Sequence, residues 1–102
     1  MYLLVTPERV TLEDPGNFQQ FHVAVEGAVD DVGAALQRAG FGSMTEMDAL
    51  IAVEAVRAAA AGRVDDAWAA GFAGMLDYAR GKGWLTGDGT AIRAHVEPTG
   101  AN

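Results

Sequence analysis

Between positions 64 and 82 the large apolar side chains fall on one line. Val64, Trp68, Phe72, Met75, Leu76 and Ala79 recur at i, i+4, i+8, i+11, i+12 and i+15, a single stripe on a 3.6-residue period. The spacing predicts a helix over about 64–82. Asp65 is available to cap it, Gly81 or Gly83 to end it, and Trp84 would fold back on its last turn. A second helical pattern precedes it. Ser43-Met44-Thr45-Glu46 matches a capping box, with Ser43 as N-cap and Glu46 three residues on. That reading gives a helix over about 44–61 with Gly62 just past its end. Joined at Gly62-Arg63, the two helices would form a long antiparallel pair. A shorter helix is expected over about 29–39, capped by Asp30 and burying Val32, Ala35, Leu36 and Ala39. Gly40 suits its left-handed C-terminal position, with Phe41 packed on Leu36.

Alternation of apolar and polar residues marks the strands. One runs over about 2–6 and is stopped by Pro7. A second, over about 9–13, puts Val10 and Leu12 on one face and could pair with the first across Pro7-Glu8. Asp14-Pro15-Gly16-Asn17 is a turn, because Pro fixes φ and Gly supplies a positive one. Over about 18–26, Phe21, Val23 and Val25 point one way, and Gln20, His22, Ala24 and Glu26 the other. Strands over about 84–86 and 91–97 flank Gly87-Asp88-Gly89, a hairpin signal. In the last, Ile92, Ala94 and Val96 oppose Arg93, His95 and Glu97. The expected fold class is therefore α+β: three helices, with the long antiparallel pair packed on a small, mainly antiparallel sheet. A single domain over 1–97 and a flexible tail over 98–102 complete it.

Composition narrows the chemistry. A chain of 102 residues makes one domain. The absence of cysteine removes disulfides, thiolate catalysis and Cys-ligated metals. Fourteen acids against seven bases give a net charge of −7, which repels phosphate backbones and anionic lipid headgroups. No apolar run approaches the ~18–20 residues that cross a bilayer, and the start lacks the basic region of a signal peptide. A soluble, cytoplasmic chain is expected. Ala and Gly richness, with six Arg and Lys82 as the one lysine, fits the coding bias of a GC-rich bacterial genome.

Three constellations could carry chemistry. On a helical wheel Glu54 falls among Met47, Leu50, Ile51, Ala58 and Ala61. A carboxylate there is either a pocket acid or base of raised pKa, or is paired with Arg57 one turn on. If the strands pair, His22 and Glu26 share a polar face with Arg93, His95 and Glu97. Two imidazoles and a carboxylate are metal donors. Their spacing matches no metal motif, however, and polar strand faces are ordinarily wet, so no metal is expected. Ala67, Ala70, Gly71 and Gly74 form a small-residue face beside Trp68 and Phe72. Such a face serves close packing within the domain, self-association, or a ligand against the two rings. Gly40-Phe41-Gly42 and Gly87-Asp88-Gly89 lack the context of a dinucleotide loop, and Ser43, the one serine, is used as a cap.

The helix followed by Gly83-Trp84-Leu85 and a hairpin ending in Ile92–Val96 resembles the helix and wing of a winged-helix domain. That resemblance covers about a third of the chain and implies a regulator. The outer face of this helix would offer Asp66, Ala70, Ala73, Asp77 and Arg80, which suits a protein partner rather than DNA. The leading expectation is a non-enzymatic protein-interaction module that self-associates, with no cofactor, nucleic acid or membrane partner. The alternatives are a small-molecule binder or small enzyme with a pocket near Glu54, Trp68, His22 and His95, and the winged-helix-like regulator.

Overall fold

A computed structural model describes residues 1–29 and 31–99. Among them the order is β1 (Tyr2–Val5), β2 (Val10–Glu13), β3 (His22–Glu26), α1 (Val32–Ala39), β4 (Gly42–Met44), β5 (Ala49–Ala52), α2 (Val53–Ala60), α3 (Trp68–Lys82) and β6 (Ala91–Thr99). The strands make one curled, half-barrel sheet in the order β2-β1-β3-β6-β5-β4, and the three helices pack on it. The sheet is mixed. β1 pairs with β3 and β3 with β6 in parallel, whereas β1·β2, β4·β5 and β5·β6 are antiparallel.

The long antiparallel helix pair is not formed, and the correction lies between residues 42 and 60. Ser43 is not an N-cap; it sits in β4, opposite Leu50 of β5. The Thr45 hydroxyl accepts from the Met47 and Asp48 N–H groups at 3.3 and 3.0 Å and donates to the Asp48 carbonyl at 3.0 Å. This local bonding closes a turn in place of a helix start. Gly42 makes the hairpin possible: a Cβ there would stand 1.9 Å from the Leu50 carbonyl oxygen. Ala49 and Ile51 then face the core from β5, and helix begins only at Val53. α2 lies against β2 and β5.

Elsewhere most local signals are met, but α3 begins at Trp68, so Val64 lies before the helix, and β3 begins at His22 instead of residue 18. The Asp31 carboxylate caps α1 by accepting from the Ala34 N–H at 2.9 Å; Asp30 lies outside the described residues. Gly40 is left-handed, and Phe41 N–H donates to the Leu36 carbonyl at 2.9 Å, the Schellman ending with both side chains buried. Gly83, not Gly81, ends α3 in the same way, with Trp84 N–H donating to the Ala79 carbonyl at 2.8 Å. The turn after β2 closes through Asn17 N–H on the Asp14 carbonyl at 3.1 Å, and its positive φ, 51°, belongs to Asp14 and not, as expected, to Gly16.

One core fills the helix side of the sheet. Leu3, Val5, Leu12, Val23, Ile51, Ile92 and Ala94 meet Leu36, Val56, Trp68, Phe72, Met75, Leu76 and Ala79. β6 is not the arm of a wing: it is a central strand between β3 and β5. Residues 84–86 reach its flank through a single bridge, Leu85 to Ile92. Pro98 and Thr99, read as tail from sequence, pair with Val25 and Glu26; residues 100–102 lie outside the described part.

Candidate functional site

Two features stand out on the surface, and β6 carries both. The first is a row of polar side chains on the sheet face opposite the helices. Register places Glu13 opposite Tyr2, Tyr2 opposite His22, and His22 opposite His95. The Tyr2 and His22 rings stack at 5.1 Å between centroids with 13° between planes. Glu97 sits one step along β6, opposite Ala24. That small neighbour leaves its carboxylate free to lean between the two histidines. Oε1 is 3.6 Å from His22 Nε2 and Oε2 is 3.8 Å from His95 Nε2. Arg93 and His95 are exposed on the same side of the strand.

The second feature is an aromatic cleft. Along one flank, β6 is bordered by β3 from His95 onward and by residues 84–86 near Ile92. Arg93 N–H donates to the Trp84 carbonyl at 2.6 Å and fixes that segment. At the junction Phe21, Trp84 and Arg93 line a crevice of about 60 Å³ together with Phe18, Met75 and Tyr78. The same three residues line a wider cleft of about 250 Å³ with Asp48 and His95. Tyr78 and Trp84 are 60% and 47% exposed, and Met47, beside Asp48, is 84% exposed. The Tyr78 and Trp84 rings meet edge to face at 6.0 Å, and Lys82 Nζ lies 5.5 Å over the Tyr78 ring. The Gly83 turn is what brings Trp84 back beside Tyr78.

No known protein family, curated protein or solved structure matches this chain. The residues themselves therefore carry the functional argument.

The structure does not bring Glu54, Trp68 and the histidines together. Glu54 is exposed on α2 and ion-paired with Arg57, whose guanidinium also lies 5.4 Å over the Phe72 ring. Trp68 and Phe72 are buried and stacked at 4.6 Å, and Trp68 Nε1 donates to the Pro15 carbonyl at 2.7 Å. Gly71 and Gly74 part company. A Cβ on Gly71 would stand 2.3 Å from the Phe18 ring, whereas around Gly74 nothing lies within 4 Å. His22 and His95 do come together, with Glu97, as the pairing of the two polar strand faces implied. Of the cleft residues, Phe21, Tyr78 and Trp84 carried no functional reading in the sequence, and Arg93 only one as a member of the polar strand face. Tyr78 carried a signal, since it is a large ring off the buried stripe of α3.

Hydrogen bonding holds the Asp88 carboxyl below its usual 3.8. The Thr86 hydroxyl is the main cause, followed by the Thr90 N–H and hydroxyl. The donors stand at 2.7, 3.1 and 2.8 Å, so the residue locks the 84–91 turn that presents Trp84. Burial pushes the Met1 amino group below its usual 8.0, against the opposing pull of Asp14.

Proposed function

We propose that this chain is a protein-interaction module that self-associates through the aromatic cleft. One observation carries the reading: the exposed rings of Tyr78 and Trp84 meet edge to face and line one crevice with Phe18, Phe21 and Arg93 instead of lying scattered. Grouped apolar exposure marks interaction surfaces, and Trp, Tyr and Arg are the side chains that most often anchor them. A second copy suits the charge pattern. Arg93 and Asp48 line the same cleft, so a two-fold pairing sets each against the other's opposite. The exposed side of α3 continues the surface, because Ala70, Gly74 and Tyr78 follow at i, i+4 and i+8 and its first two members are flush with the backbone.

Size-exclusion chromatography with light scattering tests the reading. The wild type is expected to be a dimer. Trp84→Ala and Tyr78→Ala should each weaken it at least ~10-fold, the size of a 1.4 kcal/mol loss, with an unchanged circular dichroism spectrum. A wild type that stays monomeric at millimolar concentration would overturn it.

A further inference from the structure

The tip of the β4–β5 hairpin carries the most exposed large hydrophobic among the described residues. Met47 is 84% exposed, and Glu46 and Asp48 flank it in sequence. It does not line the aromatic crevice of its own chain. Resting on the self-association reading above, we propose that Met47 is the knob of that interface. The tip of one copy docks its methionine into the crevice of Phe18, Phe21, Met75, Tyr78 and Trp84 on a second copy, and the exchange is mutual about a two-fold axis.

Size, chemistry and charge agree. A water-sized group needs about 10–15 Å³ of such space, so a crevice of about 60 Å³ takes a row of roughly four, the reach of one methionine side chain. That side chain is unbranched and polarisable, and its thioether is favoured against aromatic rings, which make most of the crevice wall. The tip sets an acid on either side of Met47. The crevice is bordered by two bases, Arg93 in its wall and Lys82 with Nζ 5.5 Å over the Tyr78 ring. None of these four charges is in an ion pair among the described residues, where the pairs are Glu54–Arg57 and the two histidine contacts of Glu97. Position agrees as well. Asp48, next to the knob, lines the wider cleft that shares Phe21, Trp84 and Arg93 with the crevice. Knob and socket therefore lie side by side on one face, as isologous pairing requires. The tip is also set in advance, because the Thr45 hydroxyl accepts from the Met47 and Asp48 N–H groups. Docking has little backbone left to order there.

Exchanging the charges tests the arrangement by light scattering. Asp48→Arg and Arg93→Asp should each be monomeric where the wild type is dimeric, because each sets like charges against one another across the axis. An equimolar mixture of the two should dimerise, because both pairs are then opposite again. Met47→Asp should weaken the dimer at least ~10-fold, and Met47→Leu should keep most of it, each with the circular dichroism spectrum of the wild type. Methyl NMR of the methionines reads the contact directly. The Met47 methyl signal should move upfield under ring currents as the concentration rises, and should stay in place in Trp84→Ala. A wild-type dimer that Trp84→Ala weakens, but that Met47→Asp and both charge changes leave intact, would overturn the knob and socket while self-association stands. A monomeric wild type would overturn both.

Discussion

At the scale of single residues, two glycines three positions apart in one helix, Gly71 and Gly74, have opposite jobs. Gly71 is where the Phe18 ring lies against the α3 backbone, and a methyl group there would collide at 2.3 Å. Gly74 faces open space. Gly71→Ala should therefore lower stability despite the better helix propensity of alanine, because the partly buried Phe18 ring must leave its place against the core. Gly74→Ala should raise it, by up to about 1 kcal/mol. Urea titrations of the two variants check the difference in sign. Trp68 is the second test. Its buried ring stacks on Phe72 and its indole N–H satisfies the Pro15 carbonyl. Trp68→Ala should cost about 3–5 kcal/mol, a large share of what a domain this size has. Loss of the cooperative melt, followed by circular dichroism because Trp84 still fluoresces, is the expected result.

Among the elements, the informative ones are the hairpins. The 84–91 turn is held by Asp88, whose folded-state pKa is depressed below 3.8. A depressed carboxyl contributes stability that is present above the unfolded value and is lost as pH falls through the folded one. The melting temperature of the wild type should therefore exceed that of Asp88→Ala at about pH 6, and the gap should shrink as the pH falls below the usual carboxyl value of 3.8. A gap that does not change with pH would show that the carboxylate charge is not what holds the turn. The β4–β5 hairpin explains the misreading of residues 44–61. Ala49-Leu50-Ile51-Ala52-Val53 satisfies a period of two as well as a helical one, since alanine fits either side of either pattern. Thr45 resolved it by bonding its own turn, and Gly42 allowed the close approach of β5. By contrast, α3 was legible because Trp68, Phe72, Met75, Leu76 and Ala79 permit one period only, and all five are buried.

For the whole molecule, the decisive fact is that β6 runs through the middle of the sheet. Ala94 is 1% exposed and opposes Ala49, itself fully buried. Ala94→Asp would put an unpartnered carboxylate there, and it should unfold the protein, since an unpaired buried charge costs several kcal/mol. The next residue, His95, is exposed, so His95→Ser should melt close to wild type. Equal tolerance of both changes would mean that β6 is a peripheral arm. No helix among the described residues is long and apolar enough to cross a membrane.

Sequence alone determined what depends on near neighbours: the stripe of α3, the left-handed ending at Gly40 and, as one of two options, at Gly83, the turn at Asp14–Asn17, and the buried faces of β2 and β6. These are fixed by side-chain period and by local hydrogen bonds. Tertiary structure decided everything that depends on which strand lies beside which. The parallel pairings of β1 with β3 and β3 with β6 join segments distant in the chain, and no local preference encodes them. Pairing with β6 made residues 49–52 a strand where their own pattern also allowed a helix. Both candidate sites belong to this second class. His22 meets His95 and Glu97, and Phe21 meets Trp84 and Arg93, only because β6 runs beside β3 on one half of its flank and beside residues 84–86 on the other.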